Sequence, residues 1–316
     1  YGKTTVKEMV AAALQTKFNI LVTPENINTP LGIARLIRRS LTSETKVFVV
    51  EMGEYYRGDI AEICALTPPD VAVVTGINEA HLERLKTLEN TTATVFEVVE
   101  QAKPAATVVL NADDVNIQSH YKKYIEGKPV AWYSYKNNFQ GKFPTKFLGR
   151  YALGGADAAV QIGRLFGVSD EAMKQAIANV PPIAHRLQPI QGAGGVLIID
   201  DSYNGNPEGV SAAIQVLAEY KDRRKIFLTP GLVEMGARTA AVHKKIGAEL
   251  AAVADLVILI KNSATPFIAD GLSAGGFAKE KIIWFNTAQA AHGTLKTIVK
   301  PNDVILFQND WGDNYV

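Results

Sequence analysis

Short apolar, β-branched runs recur along the chain: Asn19 to Val22, Val47 to Glu51, Val71 to Thr75, Thr107 to Leu110, Val196 to Ile199, Ile226 to Leu228, Leu256 to Ile260, Lys281 to Phe285 and Val304 to Phe307. Their apolarity is continuous rather than alternating, which fits strands buried on both faces, as in parallel sheets sandwiched between helices. Amphipathic stretches separate them, among them VKEMVAAAL after the first residues and Asp170 to Asn179. The pattern predicts an α/β fold with a mostly parallel sheet.

The strongest punctuation is PPIAHRLQPIQGAGG, Pro181 to Gly195, where two prolines close a helix and a glycine-rich turn precedes a new strand. A break near Leu187 divides the chain into 1–187 and 188–316, in keeping with about two domains for 316 residues. Tyr133 to Gly149 is polar and aperiodic and reads as a loop or hairpin remnant.

Lys and Arg number 33 against 32 Asp and Glu, a balance that argues against a protein built to grip nucleic acid or an anionic membrane. Cys64 is the single cysteine, so no internal disulfide is available and a reducing, cytoplasmic setting is expected. No run approaches the ~18 uninterrupted apolar residues of a membrane span. The expected protein is a soluble monomer acting on small molecules.

Candidate chemistry gathers where apolar runs end. The chain opens on YGKTTVKEMV, in which Gly2, Lys3, Thr4 and Thr5 run into a helix. That is the second half of a phosphate-binding loop, whose amides cradle phosphates, whose lysine reaches the terminal phosphates and whose first hydroxyl binds Mg²⁺. The plain alternative is a solvated helix start. Glu51 ends a strand just before a glycine, where a carboxylate either ligates Mg²⁺ or faces water. His81 follows another strand end and is a further metal-site candidate, or a structural histidine. Asn111 and Asp113 in VLNADD, and Asp200, Asp201, Ser202, Tyr203, Asn204 and Asn206 in IIDDSYNGNP, read as ligand loops or as Asx-rich turns. Gly231, Glu234, Gly236 and His243 read as a loop and a capped helix.

Taken in order, GKTTVKEM, Asn28-Thr29-Pro30 to Gly32, VVEMG, TGINEAHLERLKTLEN, VLNADD, HRLQ, IDDSYNGNP and GLVEMG…H…IG resemble the Mur ligase family, in its branch that adds D-alanyl-D-alanine to a UDP-muramoyl tripeptide. The resemblance implies a central P-loop ATPase domain and a C-terminal Rossmann-like domain. It also makes Tyr1 part of a longer loop and places a further domain upstream. It implies ATP and Mg²⁺, with a UDP-muramoyl peptide and an amino acid or dipeptide as substrates. By position, Lys3 contacts the terminal phosphates, with Gly2, Thr4 and Thr5 beside it. Thr4 and Glu51 hold one Mg²⁺ and His81 a second, Arg186 reaches the γ-phosphate, and Asp201, Tyr203, Asn204 and Asn206 close over the nucleotide. Three departures stand out: Val95 at the place of the family's carbamylated lysine, Tyr151, Ala152 and Gly155 in place of an HN…N pattern, and Gln308-Asn309-Asp310 in place of KGS. They leave a second reading open, a nucleotide-binding pseudo-ligase with a regulatory or scaffolding role.

Overall fold

The computed structural model describes residues 2–24, 27–78, 82–137, 141–203, 205–233 and 235–309. Two compact units emerge. The first holds Tyr1–Lys146 and Arg150–Pro181, the second Phe147–Gly149 and Pro182–Val316. The chain passes to the second unit at Pro182, ahead of Leu187, because Leu187 donates its N–H to Asp201 at 3.1 Å and the strand that follows pairs within the second sheet.

In the first unit the order is α1 (Lys3–Gln15), β1 (Ile20–Val22), α2 (Pro30–Ser40), β2 (Val47–Val49), α3 (Asp59–Leu66), β3 (Val71–Val74), α4 (Leu82–Leu85), α5 (Leu88–Glu100), β4 (Thr107–Asn111), α6 (Val115–His120), β5 (Val130–Tyr133), α7 (Arg150–Leu165) and α8 (Asp170–Asn179). Helix starts follow local chemistry. Thr29, Thr87 and Ser169 each accept an N–H from the first turn of α2, α5 and α8, and Pro30 occupies a first-turn position where its missing N–H is not needed. The strands are all parallel, but among the described residues they form two sheets, β1-β2 and β3-β4-β5, where a single sheet was expected.

The reason is a gap between β2 and β3. Consecutive residues of both strands line it, Val47, Phe48 and Val49 on one side and Val73 and Val74 on the other, so the two strands present unpaired edges rather than faces. Val6, Val10 and Leu14 of α1 and Val95 and Val98 of α5 complete a cavity of about 330 Å³. Beyond it, β3 and β4 pack on α5 and α6 through Val74, Phe96, Val108, Leu110 and Ile117, with Phe96 stacked on Tyr124 at 4.4 Å.

The second unit runs β6 (Gln188–Gln191), β7 (Leu197–Asp201), α9 (Pro207–Ala218), β8 (Lys225–Thr229), α10 (Thr239–Ala251), β9 (Leu256–Ile260), α11 (Thr265–Ala274), β10 (Ile282–Phe285), α12 (Ala288–Ile298) and β11 (Val304–Gln308). Its six-stranded sheet has the order β10-β9-β8-β11-β7-β6, parallel except for β6 at one edge. Side chains alternate along each strand: Ile199, Phe227, Val257, Leu259 and Leu306 join the core under α9, α10 and α11, whereas Ile226, Ile258 and Ile305 join the one under α12. Two covered faces explain the unbroken apolar runs. Among the described residues no helix is long and apolar enough to cross a membrane.

Candidate functional site

The first unit's site is built on the start of α1. Gly2 caps the helix in the left-handed region (φ 77°), a conformation glycine adopts without a Cβ penalty. No side chain caps that end and no acidic residue sits in the first turn, so the helix N-terminus keeps its partial positive charge. Lys3 donates from Nζ to both oxygens of Glu54, at 2.7 and 2.6 Å. Thr4 turns the other way and donates from Oγ1 to Glu51 Oε1 at 3.2 Å. The Thr5 methyl faces α7, where a Cβ built on Gly155 would meet it at 3.3 Å.

Glu51 lies just past β2, and its placement is fixed from three directions. Its N–H donates to Thr23 Oγ1 at 2.9 Å. Lys7, one turn beyond Lys3 on the same face of α1, donates to the Thr23 carbonyl at 3.0 Å. The Lys7 ammonium then stands 3.5 Å from Glu51 Oε2, an ion pair too long for a hydrogen bond. Glu51 and Lys7 are both buried, and Glu51 Oε2 has no hydrogen-bond partner.

A buried carboxylate oxygen left without a donor, next to a threonine hydroxyl, is an oxygen donor set that fits a hard cation. Mg²⁺ keeps several waters and takes one or two carboxylates together with phosphate oxygens, so Thr4 and Glu51 suffice on the protein side. Among the described residues no cluster of three or more His, Cys, Asp or Glu side chains forms a closed metal cage. His81, the third strand-end candidate, lies outside the described residues. The loop that leads toward it is held: Asn111 Nδ2 donates to Thr75 O at 2.9 Å, Ile77 N–H to Asp114 at 2.9 Å, and Asn116 Nδ2 to Ile77 O at 2.8 Å. Asp113 instead accepts from Ser134 and Tyr135, a turn-building role.

In the second unit, Asp201 ends β7 and accepts the Leu187 N–H at 3.1 Å; burial pushes its carboxyl up from 3.8 to about 6. The Arg186 guanidinium lies over the Tyr203 ring at 5.0 Å, and Tyr203 is exposed. Asn206 caps α9, accepting the Gly209 N–H at 2.9 Å. Asn204 and Glu234 lie outside the described residues. Asp200 binds His185 Nδ1 at 2.7 Å and the Ser202 hydroxyl at 2.5 Å. His243 is buried and accepts the Leu232 N–H at Nε2, 2.9 Å, while Nδ1 meets Thr239 O at 2.7 Å. That pairing requires the neutral ring, and burial holds its pKa below the usual value. His243 thus braces the loop at Gly231, whose φ is 85°.

The structure therefore brings Lys3, Thr4 and Glu51 together and places Arg186, Asp201, Tyr203 and Asn206 around one loop of the second sheet. Sequence reasoning missed Lys7 and Glu54. Lys7 stands four residues after Lys3 within an ordinary helical pattern, and Glu54 three residues after Glu51, spacings that do not by themselves mark a partner. Gln308, the first residue of the segment that stands in place of KGS, is buried, accepts from Thr229 at 2.7 Å and leaves Nε2 without a hydrogen-bond partner.

Residues 1–156 match the Mur ligase middle domain and residues 185–308 the Mur ligase, glutamate ligase domain. The UDP-N-acetylmuramoyl-tripeptide D-alanyl-D-alanine ligase of Escherichia coli (strain K12) is 31% identical over 270 residues; the match covers 78% of this chain and 59% of that protein. The ligase of the same name from Bacillus subtilis (strain 168) is 26% identical over 328 residues, covering 98% and 71%. Among solved structures, a MurF ligase from Thermotoga maritima in complex with ADP superposes with a TM-score of 0.83 at 25% identity, over 98% of this chain and 74% of that one. A folylpolyglutamate synthase from Mycobacterium tuberculosis shares the fold at a TM-score of 0.71 and 16% identity, over 98% and 86%. The chain thus spans about three fifths of the length of its E. coli relative.

Proposed function

This chain belongs to the Mur ligase family, and from that premise we propose that it is the ATP-dependent part of an amide-bond ligase of peptidoglycan precursor synthesis. The relatives' names point to a UDP-muramoyl peptide as the acid and D-alanyl-D-alanine or a similar amine as the acceptor. The observation that carries the reading is the meeting of a lysine, a hydroxyl and a buried carboxylate with an open oxygen at the first turn of α1.

The chemistry follows from those groups. A carboxylate oxygen of the acid attacks the terminal phosphorus of ATP and ADP leaves; the amine nitrogen then attacks the acyl carbon and phosphate leaves, so the energy of the anhydride ends in an amide. Both steps concentrate negative charge on the transferring phosphoryl group. Lys3 and the α1 N–H groups lie where they can meet that charge and stabilise it. Thr4 and Glu51 would hold Mg²⁺, which when bound neutralises phosphate charge. Lys7 fixes the Glu51 carboxylate, and Arg186, Asp201, Tyr203 and Asn206 supply the second unit's contribution to nucleotide handling.

One observation favours the alternative, a nucleotide-binding pseudo-ligase. Val95 lines the cavity beside β3 together with Lys3, Lys7, Glu51 and Glu54 and offers no amine to form a carbamate. Release of ADP, followed with UDP-muramoyl tripeptides and a panel of amines, separates the two. Turnover that depends on both acid and amine is expected; nucleotide binding with no turnover for any pair would select the pseudo-ligase.

A further inference from the structure

We propose that Glu54 is an internal stand-in for nucleotide phosphate, a latch that holds Lys3 until a polyphosphate displaces it. The idea rests on the nucleotide reading of the α1 site given above. Lys3 donates to both Glu54 oxygens at 2.6 to 2.7 Å, charge-assisted bonds of the kind an ammonium also makes to the anionic oxygens of a phosphate. The contact spans 51 residues of sequence and ties the first turn of α1 to the loop after β2.

That loop is built to deliver the carboxylate. Gly53 donates its N–H to Asn28 O at 2.8 Å, and a Cβ on Gly53 would lie within 3.1 Å of the Asn28 side chain and closer still to Tyr55, so the backbone turns tightly against its neighbour. The Arg84 guanidinium sits over the Tyr55 ring at 5.3 Å. Tyr56 N–H is tied to Asp59 at 2.8 Å. Glu54 is thereby presented from both flanks, with 13% of its side chain exposed against 30% for Lys3.

Two consequences follow. In the free protein the lysine's charge is neutralised and its direction is fixed, so the ammonium is positioned ahead of nucleotide arrival. On binding, the terminal phosphates must break a charge-assisted pair, which lowers affinity for any ligand that reaches Lys3 and for none that stops short of it. Glu54 is therefore a positioning residue that sets how strongly the site prefers a di- or triphosphate to a monophosphate.

Isothermal titration with Mg²⁺ and ADP, a non-hydrolysable ATP analogue or AMP tests this on the parent protein, Glu54→Gln and Glu54→Asp. Glu54→Gln is expected to tighten ADP and the ATP analogue by about tenfold, the order of one charge-assisted bond, and to leave AMP unchanged. Glu54→Asp, which keeps the charge on a shorter arm, is expected to fall between the two. Equal gains for AMP, or no gain for ADP where the parent binds it, would overturn the latch and leave the nucleotide site standing. Failure of the folded parent and both variants to bind any of the three would overturn the nucleotide reading itself, and the latch with it.

Discussion

The Glu51 carboxylate meets the Thr4 hydroxyl and the Lys7 ammonium while its backbone N–H donates to Thr23 Oγ1, and its energetic position depends on Lys7. Both side chains are buried, so removing the lysine leaves a carboxylate in a poorly solvated place with one hydrogen-bonding neighbour, Thr4. Lys7→Met is expected to cost about 3 kcal/mol, the scale for stranding one member of a buried ion pair, with Mg²⁺ raising the variant's melting temperature more than the parent's. Equal Mg²⁺ shifts in the two proteins would contradict the cation site. Asp201 carries a pH dependence of definite sign. Its folded pKa, about 6, stands above the ordinary 3.8, so the stabilisation it contributes is complete below 3.8 and is lost as pH rises through about 6. Asp201→Asn keeps an acceptor for Leu187 and is expected to raise the melting temperature above pH 6 while changing little below 3.8; urea or thermal melts across that range decide it. The residue types of the site were legible in the sequence because Lys3 and Thr4 stand in a GKTT start and Glu51 ends an apolar run. Their second partners were not: Lys7 sat inside an ordinary helical pattern, and Glu54 required a turn at Gly53 that spacing alone does not reveal.

At the level of elements, the apolar runs located nine of the eleven strands among the described residues, and the misses have causes. β6 reads Gln-Pro-Ile-Gln, with no apolar run, because it is an antiparallel edge strand whose side chains are only partly covered. β5 reads Val-Ala-Trp-Tyr, short and straight after Pro129, and gains its identity only by pairing with β4. Helix packing was equally invisible. Gly247 of α10 and Gly271 of α11 let the two backbones touch: a Cβ on Gly247 would strike Ile268 O, and one on Gly271 would strike Lys244 O. Gly271→Ala is therefore expected to destabilise the second unit by about 2 kcal/mol through overpacking, read as a lowered denaturant midpoint with unchanged slope. Gly155 acts similarly in the first unit. A Cβ built on it would meet Met9 Sδ at 3.2 Å and the Thr5 methyl at 3.3 Å, so a larger residue there would press on the crossing of α7 over α1.

Across the whole chain the two units differ in how completely they are paired. The second unit covers both faces of a continuous six-stranded sheet with its own helices, and its two core clusters draw on its own residues. Among the described residues the first divides its five strands between two sheets, with unpaired edges of β2 and β3 facing a cavity of about 330 Å³. Backbone amides on such edges lack ladder partners, and the side chains lining the cavity forgo the contacts that close packing supplies. The expected hierarchy is a first unit that opens locally at lower free energy than the second. Hydrogen exchange resolved by residue tests it. Amides of β2 and β3 are expected to exchange faster than those of β8, β9 and β11, although Phe48, Val73 and Phe227 sit in comparably apolar sequence. Residues 182–316 prepared alone are expected to give a single cooperative melt, because nearly all of their core travels with them; Leu148 is the main side chain left behind. Slow exchange throughout β2 and β3, or a non-cooperative melt of the isolated second unit, would contradict that order. Lys3, Thr4 and Glu51 belong to the first unit, so nucleotide is expected to slow exchange chiefly at α1 and the end of β2, where binding energy adds to the weaker of the two cores.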